Sequence, residues 1–217
     1  IFIDSSVQSL YIVNCLNCTI YIAACEKIAF VDKCERITLT IATNLLRICN
    51  SVDSVIHYYG PSPIILTGDN RSIQIAPNNS LSPTLPEHIK KAGIPVEKQF
   101  MNSYTQVLCK PILNSNTYSL TKPDDFNVLV LPPKEGQPPV QDLPLKNLMA
   151  PEPYIKELEE RYAYFNQFKT KVSQSNLSQE TVKVLHSVFQ GNFKEWLTSR
   201  GYTKNLNYLL KMIKKTN

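Results

Sequence analysis

Neither proline nor glycine occurs in the first 59 residues of this 217-residue chain. Two-residue hairpin turns draw on those residues, so their absence argues against an antiparallel meander in this stretch. The chain has no apolar run near the ~20 residues that span a bilayer, and membrane insertion is not expected. It has no glycine-rich phosphate loop. Its three histidines, His57, His88 and His186, lie far apart in sequence, and none has a Ser, Cys or carboxylate motif to work with. No catalytic residue, cofactor or small-molecule substrate is therefore expected. No secretory signal is read at this N-terminus, where truncation could have removed one, and a start without Met reads as part of a longer protein.

What the first third does contain is repetition. Cys25-Glu26-Lys27-Ile28 is followed nine residues later by Cys34-Glu35-Arg36-Ile37. Asn14-Cys15-Leu16-Asn17-Cys18-Thr19-Ile20, the stretch from Cys49 to Ile56 and the stretch from Ile3 to Leu10 have the same shape. Each is a Cys or small polar residue, a polar turn and a short β-branched alternation such as Thr-Ile-Tyr-Ile. Cys15 and Cys34 lie nineteen residues apart, which predicts coils with two faces of about nine residues and a shorter third side. Such coils stack as a parallel β-helix, with like residues in ladders. Ile28 and Ile37 are expected to point into the interior, and small Cys and Ser residues to fill tight inner corners. The six cysteines, in a chain that reads as cytosolic, are expected as free, buried thiols.

All fifteen prolines fall between Pro61 and Pro153 and divide the chain. Residues 1–80 are the β-helix, residues 81–150 a proline-rich extension with short strands, and residues 151–217 a helical tail. Pro63–Asn70 and Ser72–Pro77 read as last strands, Val107–Ile112 as an added edge strand, and Phe126–Leu131 as a further extended piece. Pro86–Ala92 reads as a turn of helix, and Pro132–Pro144 as a linker. In the tail, Ile155, Leu158, Tyr162, Phe165 and Phe168 share one helical face. Ser178 is the expected N-cap of a second helix carrying Trp196, read as a packing anchor. Leu206 to Ile213 predicts a short last helix. The fold class is mainly β, a parallel β-helix followed by an irregular segment and C-terminal α-helices.

Charge is uneven. Residues 1–60 carry four basic and five acidic side chains, residues 61–149 eight and seven, and residues 150–217 eleven and six. The basic excess lies in the last third, as a solvated helix face or a surface for an acidic protein partner. Nothing resembles a base-reading motif, so nucleic acid is not an expected partner. Cys15, Cys18, Cys25 and Cys34 superficially suggest a zinc set, but the second pair lacks close spacing and the repeat register explains all four without metal. Asp124-Asp125 reads as a turn before Phe126, not as a metal pair.

Ala24-Cys25-Glu26-Lys27-Ile28-Ala29-Phe30, the cysteine-rich coils around it and the closing Ser72–Pro77 resemble the C-CAP/tubulin-folding cofactor C domain. The resemblance covers about residues 1–80. Pro123-Asp124-Asp125-Phe126 and Phe193-Lys194-Glu195-Trp196-Leu197 extend a likeness to one branch of that family over most of the chain. The family implies a right-handed parallel β-helix. Its GTPase-activating members present an arginine finger from a coil reading Ala-Cys-Gln-Gln-Leu-Arg, and such an arginine is worth about 10³–10⁵ in rate. Laid on this sequence, the Gln pair falls on Glu26 and Lys27 and the arginine on Ala29. Alanine cannot neutralise a phosphate, so no activation of that type, and no enzyme, is expected. Arg36 and Arg47 are the nearby substitutes, and both read first as surface residues.

The branch implies a non-enzymatic scaffold in the cytoplasm and cytoskeleton, at the centrosome, basal body or spindle pole. It further implies a part in cilium, centrosome and Golgi positioning. The alternative is a regulator of tubulin or of an Arf-like small GTPase. Expected partners are proteins at those sites. The candidate partner-binding residues are Glu26, Lys27, Lys33 and Arg36 on the β-helix, and Lys211, Lys214 and Lys215 in the tail.

Overall fold

The computed structural model describes residues 1–110, 116–131, 145–175 and 178–199. These form two compact units, residues 1–162 and 163–217. The first is built on parallel strands: β1 (Phe2–Val7), β2 (Leu10–Val13), β3 (Thr19–Asp32), β4 (Thr38–Cys49), β5 (Val55–Tyr59), β6 (Ile64–Thr67) and β7 (Ile73–Pro77). β8 (Ser80–Leu81), helix α1 (Leu85–Lys91), β9 (Val107–Lys110), β10 (Tyr118–Leu120) and β11 (Leu129–Val130) follow. Every strand pair is parallel, as a coil that returns to the same face each time requires.

The first face stacks Thr19, Thr38, Val55 and Gln74 in register, at intervals of 19, 17 and 19 residues. The second face stacks β2, the end of β3, the end of β4, β6 and β9. β3 and β4 serve both faces and bend between them, with register shifts between Ile22 and Ile28. The third side is a single column of bridges, Leu16 to Glu35 to Val52 to Arg71. This is the parallel β-helix that the repeat implied, with its two longer faces and one short side.

The corners explain how the coils turn with so little glycine. Asn14, Lys33 and Asn50, and then Asn17, Arg36, Asp53 and Ser72, all adopt left-handed backbone angles at equivalent places. Asn and Asp tolerate that conformation because their short side chains bond locally. Inside the corner, Cys15, Cys34, Ser51 and Asn70 take successive places: the Cys34 amide donates to Ser51 Oγ at 3.2 Å, and the Ser51 amide to Asn70 Oδ1 at 3.0 Å. Small Cys and Ser fill the tight corners, as expected. All six cysteines are free, but only Cys25 and Cys34 are buried, and burial pushes both thiols up. Cys15, Cys18, Cys49 and Cys109 are half-exposed, short of the full burial expected. Gly68 is required where it stands: its φ is +72°, and a Cβ there would lie 2.2 Å from Asn50 Oδ1.

Ile20, Ile22, Ile37, Leu39, Ile41, Leu46, Ile48 and Ile56 fill the interior. Ile37 is 1% exposed, as its ladder position implied. Ile28 is different: it is half-buried and belongs to neither hydrophobic cluster. The nine-residue phrase match had equated the two, but Ile28 lies past the bend of β3, where the register breaks.

The proline-rich extension covers the outward side of the first face. Tyr21, Ala23, Ala24, Ala42 and Tyr59 lie beneath Leu85, Ile89, Ala92, Ile94, Leu131 and Met149. Tyr59 Oη donates to the Pro95 carbonyl at 2.9 Å and accepts from the Glu97 amide at 3.2 Å. Thr84 Oγ1 donates to Asp4 at 3.0 Å, and His88 Nε2 lies 3.5 Å from the same carboxylate, tying α1 to β1. Helix α2 (Glu152–Gln174) crosses from the first unit into the second. Within the first unit Tyr154 and Leu158 are its anchors, and Tyr154 Oη donates to the Thr121 carbonyl at 2.5 Å. Of the apolar face expected there, Leu158 is buried, while Tyr162 and Phe165 are exposed. In the second unit, Phe168 meets Phe189 of α3 (Gln179–Ser199) edge to face at 5.8 Å. Ser178 caps α3 by accepting from the Thr181 amide at 3.2 Å, as its place in the sequence implied. The linker at 132–144 and the last helix expected at 206–213 lie outside the described residues.

Candidate protein-binding surface

The candidate residues on the β-helix do not form one cluster. Glu26 and Lys27 are exposed at the bend of β3, where the Glu26 carbonyl accepts from Asn44 Nδ2 at 2.6 Å and the Lys27 amide donates to the Gln8 carbonyl. Lys33 and Arg36 stand at the left-handed corners of the third side. Arg36 donates to Asn17 Oδ1 at 2.7 Å and pairs with Glu35 beside it. A half-exposed ion pair of this kind contributes about 1 kcal/mol or less. The strand from Ile28 to Asp32 separates the two groups by about 16 Å at ~3.3 Å per residue. Lys211, Lys214 and Lys215 lie outside the described residues.

Ala29, where the resemblance set the arginine, is 0% exposed and stands in register between Leu10 and Leu46. The side chain points into the coil. The next residue, Phe30, points outward and is half-buried. Phe30 belongs to an outward ladder of five rungs, Tyr11, Phe30, Arg47, Ile65 and Leu108. Tyr11 meets the Phe30 ring edge to face at 6.2 Å. The Arg47 guanidinium lies over the same ring, 5.4 Å from its centre, and Nε donates to Thr67 Oγ1 at 3.1 Å. Tyr11 is 68% exposed, Leu108 57%, and Arg47 is exposed. The ladder itself, as distinct from Arg47 alone, went unread in the sequence. Its signal is there: Leu10–Val13, Ile28–Val31 and Ile64–Leu66 are apolar on both sides of the strand.

His57 belongs to the first face and is buried beside Phe126, with ring centres 6.1 Å apart. Its Nδ1 lies 3.4 Å from the Pro77 carbonyl, and burial lowers its pKa to about 4. It is a neutral packing residue. Among the described residues no three His, Cys, Asp or Glu side chains gather as a metal-ligand group, and no helix is long and apolar enough to cross a membrane.

Parallel coils with cysteine and serine corners, closed over one face by a packed extension, define the class as a parallel β-helix domain. Residues 1–107, just under half of the chain, match the family model described as tubulin binding cofactor C. It is 25% identical over 211 residues to TBCC domain-containing protein 1 of Mus musculus, a match covering 97% of this chain and 37% of that protein. The corresponding protein of Danio rerio is 24% identical over 97% of this chain and 36% of its own length, and that of Homo sapiens 21% over 96% and 35%. The chain thus spans about a third of the length of the curated relatives it matches. The solved structure of tubulin binding cofactor C from Leishmania major superposes with a TM-score of 0.50 at 16% identity, covering 59% of this chain and 89% of that one, and shares the fold.

Proposed function

We propose that this chain is a non-enzymatic protein-binding module with a tubulin-related role, acting as a scaffold at the centrosome or basal body and contributing to centrosome and Golgi positioning. The tubulin-related part is supported by the family match over residues 1–107. The non-enzymatic part is supported by one observation: Ala29, at the place of the family's arginine, is sealed inside the coil between Leu10 and Leu46. No cation reaches a phosphate from there, and the ~4–7 kcal/mol that an arginine finger supplies is missing at that position.

The second reading, a regulator of tubulin or an Arf-like GTPase, is favoured by Arg47 alone, the exposed guanidinium on the outward side of the same face. Single-turnover GTP hydrolysis by tubulin and by an Arf-like GTPase separates the two. The expected result is the same rate with and without the chain. Stimulation that disappears with Arg47→Gln or Arg36→Gln would replace the scaffold with the regulator. Recruitment is read separately, by imaging the tagged longer protein with and without residues 1–162 at centrosomes; recruitment that ignores the deletion removes the scaffold role from this segment.

A further inference from the structure

We propose that the outward ladder Tyr11–Phe30–Arg47–Ile65–Leu108 docks an amphipathic helix of a partner protein, one that brings a carboxylate to Arg47. This rests on the protein-binding reading above and names the chemistry of the partner.

Strands buried on both sides are apolar on both sides, whereas strands with one wet side alternate. The second-face strands follow the first pattern: Leu10-Tyr11-Ile12-Val13, Ile28-Ala29-Phe30-Val31 and Ile64-Ile65-Leu66. The first face, with the similar run Ile20–Cys25, is covered by α1, Leu129, Leu131 and Met149. On the second face Tyr11, Val13 and Leu108 are exposed instead. Exposed apolar residues at both ends of the ladder, with half-buried Phe30 and Ile65 between them, mark an interaction surface.

Geometry selects a helix. Rungs of a sheet repeat at about 4.8 Å, so five rungs span about 19 Å. A helix lying along the β-helix axis returns a side chain to the same line every ~5.4 Å, so three to four turns match the whole ladder. An added strand could extend only the free edges of β2 and β9 and would not lie across the ladder, because the strands between them are paired on both sides.

Charge selects an acid. Arg47 is the middle rung, between Phe30 and Ile65, and among the described residues it forms no ion pair. The nearest outward acid on this face, Asp32, accepts from Asn50 Nδ2 at 3.1 Å. A carboxylate arriving over Arg47 would form a charge-assisted pair as water leaves. A second copy is a poorer occupant: a two-fold axis through the middle of the ladder brings two Arg47 guanidinium groups together.

The probe is a synthetic helical peptide of about 15 residues with leucines on one face and glutamates beside its centre, and a twin with lysine for each glutamate. Fluorescence anisotropy reads binding to the whole 217-residue chain. The acidic peptide is expected to bind roughly tenfold or more tightly than the twin. Tyr11→Ser and Leu108→Ser each weaken it, and Tyr164→Ser, at an exposed position of α2, leaves it unchanged. Arg47→Glu is expected to reverse the preference and bind the lysine twin, a gain that a misfolded variant cannot give. Equal binding of both peptides, no binding, or binding indifferent to Tyr11, Arg47 and Leu108 overturns the proposal. So does concentration-dependent self-association of the wild type that Leu108→Ser abolishes, or binding to anionic lipid vesicles that Leu108→Ser abolishes. The peptide assay contains neither nucleotide nor GTPase, so its failure leaves the scaffold reading standing, and stimulated hydrolysis would remove that reading without touching this one.

Discussion

Tyr21, Thr40 and His57 are outward rungs of the first face and Tyr11, Phe30 and Arg47 of the second, Tyr21 sharing a strand with Phe30 and Thr40 with Arg47. The first three are buried, and of the second three Tyr11 and Arg47 are exposed and Phe30 half-buried. The difference does not arise within the coils. It comes from chain supplied later: Asn79, whose Oδ1 accepts from Thr40 Oγ1 at 2.9 Å; Phe126, which meets His57; and the cluster over Tyr21 and Tyr59. A β-helix face is finished only when something covers it, and here the described residues finish one of the two.

The largest effects are expected where charge enters the interior that both faces share. Ile37→Asp buries an unpaired carboxylate, and Ala29→Arg an unpaired guanidinium, each costing about 3–5 kcal/mol. Urea unfolding should show a strongly lowered midpoint for both; an Ala29→Arg protein with wild-type stability would mean that position 29 faces outward. Next is the covered face. Phe126→Ala removes a fully buried ring that touches His57 and Tyr154 and is expected to cost about 3–5 kcal/mol. A loss below about 1 kcal/mol would show that the extension is not stably seated.

Acid should act on the same face. His57 is held neutral, its pKa lowered to about 4 by burial, while an unfolded chain takes up the proton near 6.5. Between those values the unfolded state binds more protons, so the stabilisation is complete above pH 6.5 and falls as pH drops towards 4, by about 3 kcal/mol in all. Unfolding free energies at pH 7 and pH 4.5 should differ by less in His57→Gln than in wild type. An equal difference would assign acid sensitivity to other groups. The smallest effects belong to the uncovered face: Leu108→Ser and Arg47→Gln should each shift stability by about 0.5 kcal/mol or less. A loss comparable to that of Phe126→Ala would erase the contrast between the faces.

Much of this fold was legible because its signals are local. The Cys15-to-Cys34 interval gave the coil length, and the small residues at Cys34 and Ser51 gave the corner. Edge strand β9 and helix α1 formed where the sequence placed them. The nine-residue match between Cys25-Glu26-Lys27-Ile28 and Cys34-Glu35-Arg36-Ile37 misled, because one phrase lies at a bend within a 14-residue strand and the other at two left-handed corners. That error put Ile28 inside and grouped Glu26 with Arg36. Burial of Tyr21, Ala23 and His57 was beyond local reading, since it depends on residues from Leu85 to Met149. The exposed ladder had a local sign, apolar residues on both sides of its strands, but only three-dimensional register shows that Tyr11, Phe30, Arg47, Ile65 and Leu108 share a line.

The last rung of each face carries a consequence for folding order. β4 meets β3 about one coil back, but β6 waits for β9 across 43 residues and β7 for β10 across 45, as the pairings Ile65 with Leu108 and Ile73 with Tyr118 record. Loop closure costs about 0.6 kcal/mol more for each doubling of length, and non-local pairing slows folding more than it weakens the product. The early coils can therefore zip by nearest-neighbour contacts while the terminal strands remain unbound. Their amides should be the last protected during refolding and the first to exchange with deuterated solvent at equilibrium, so the stack closes, and opens, from one end.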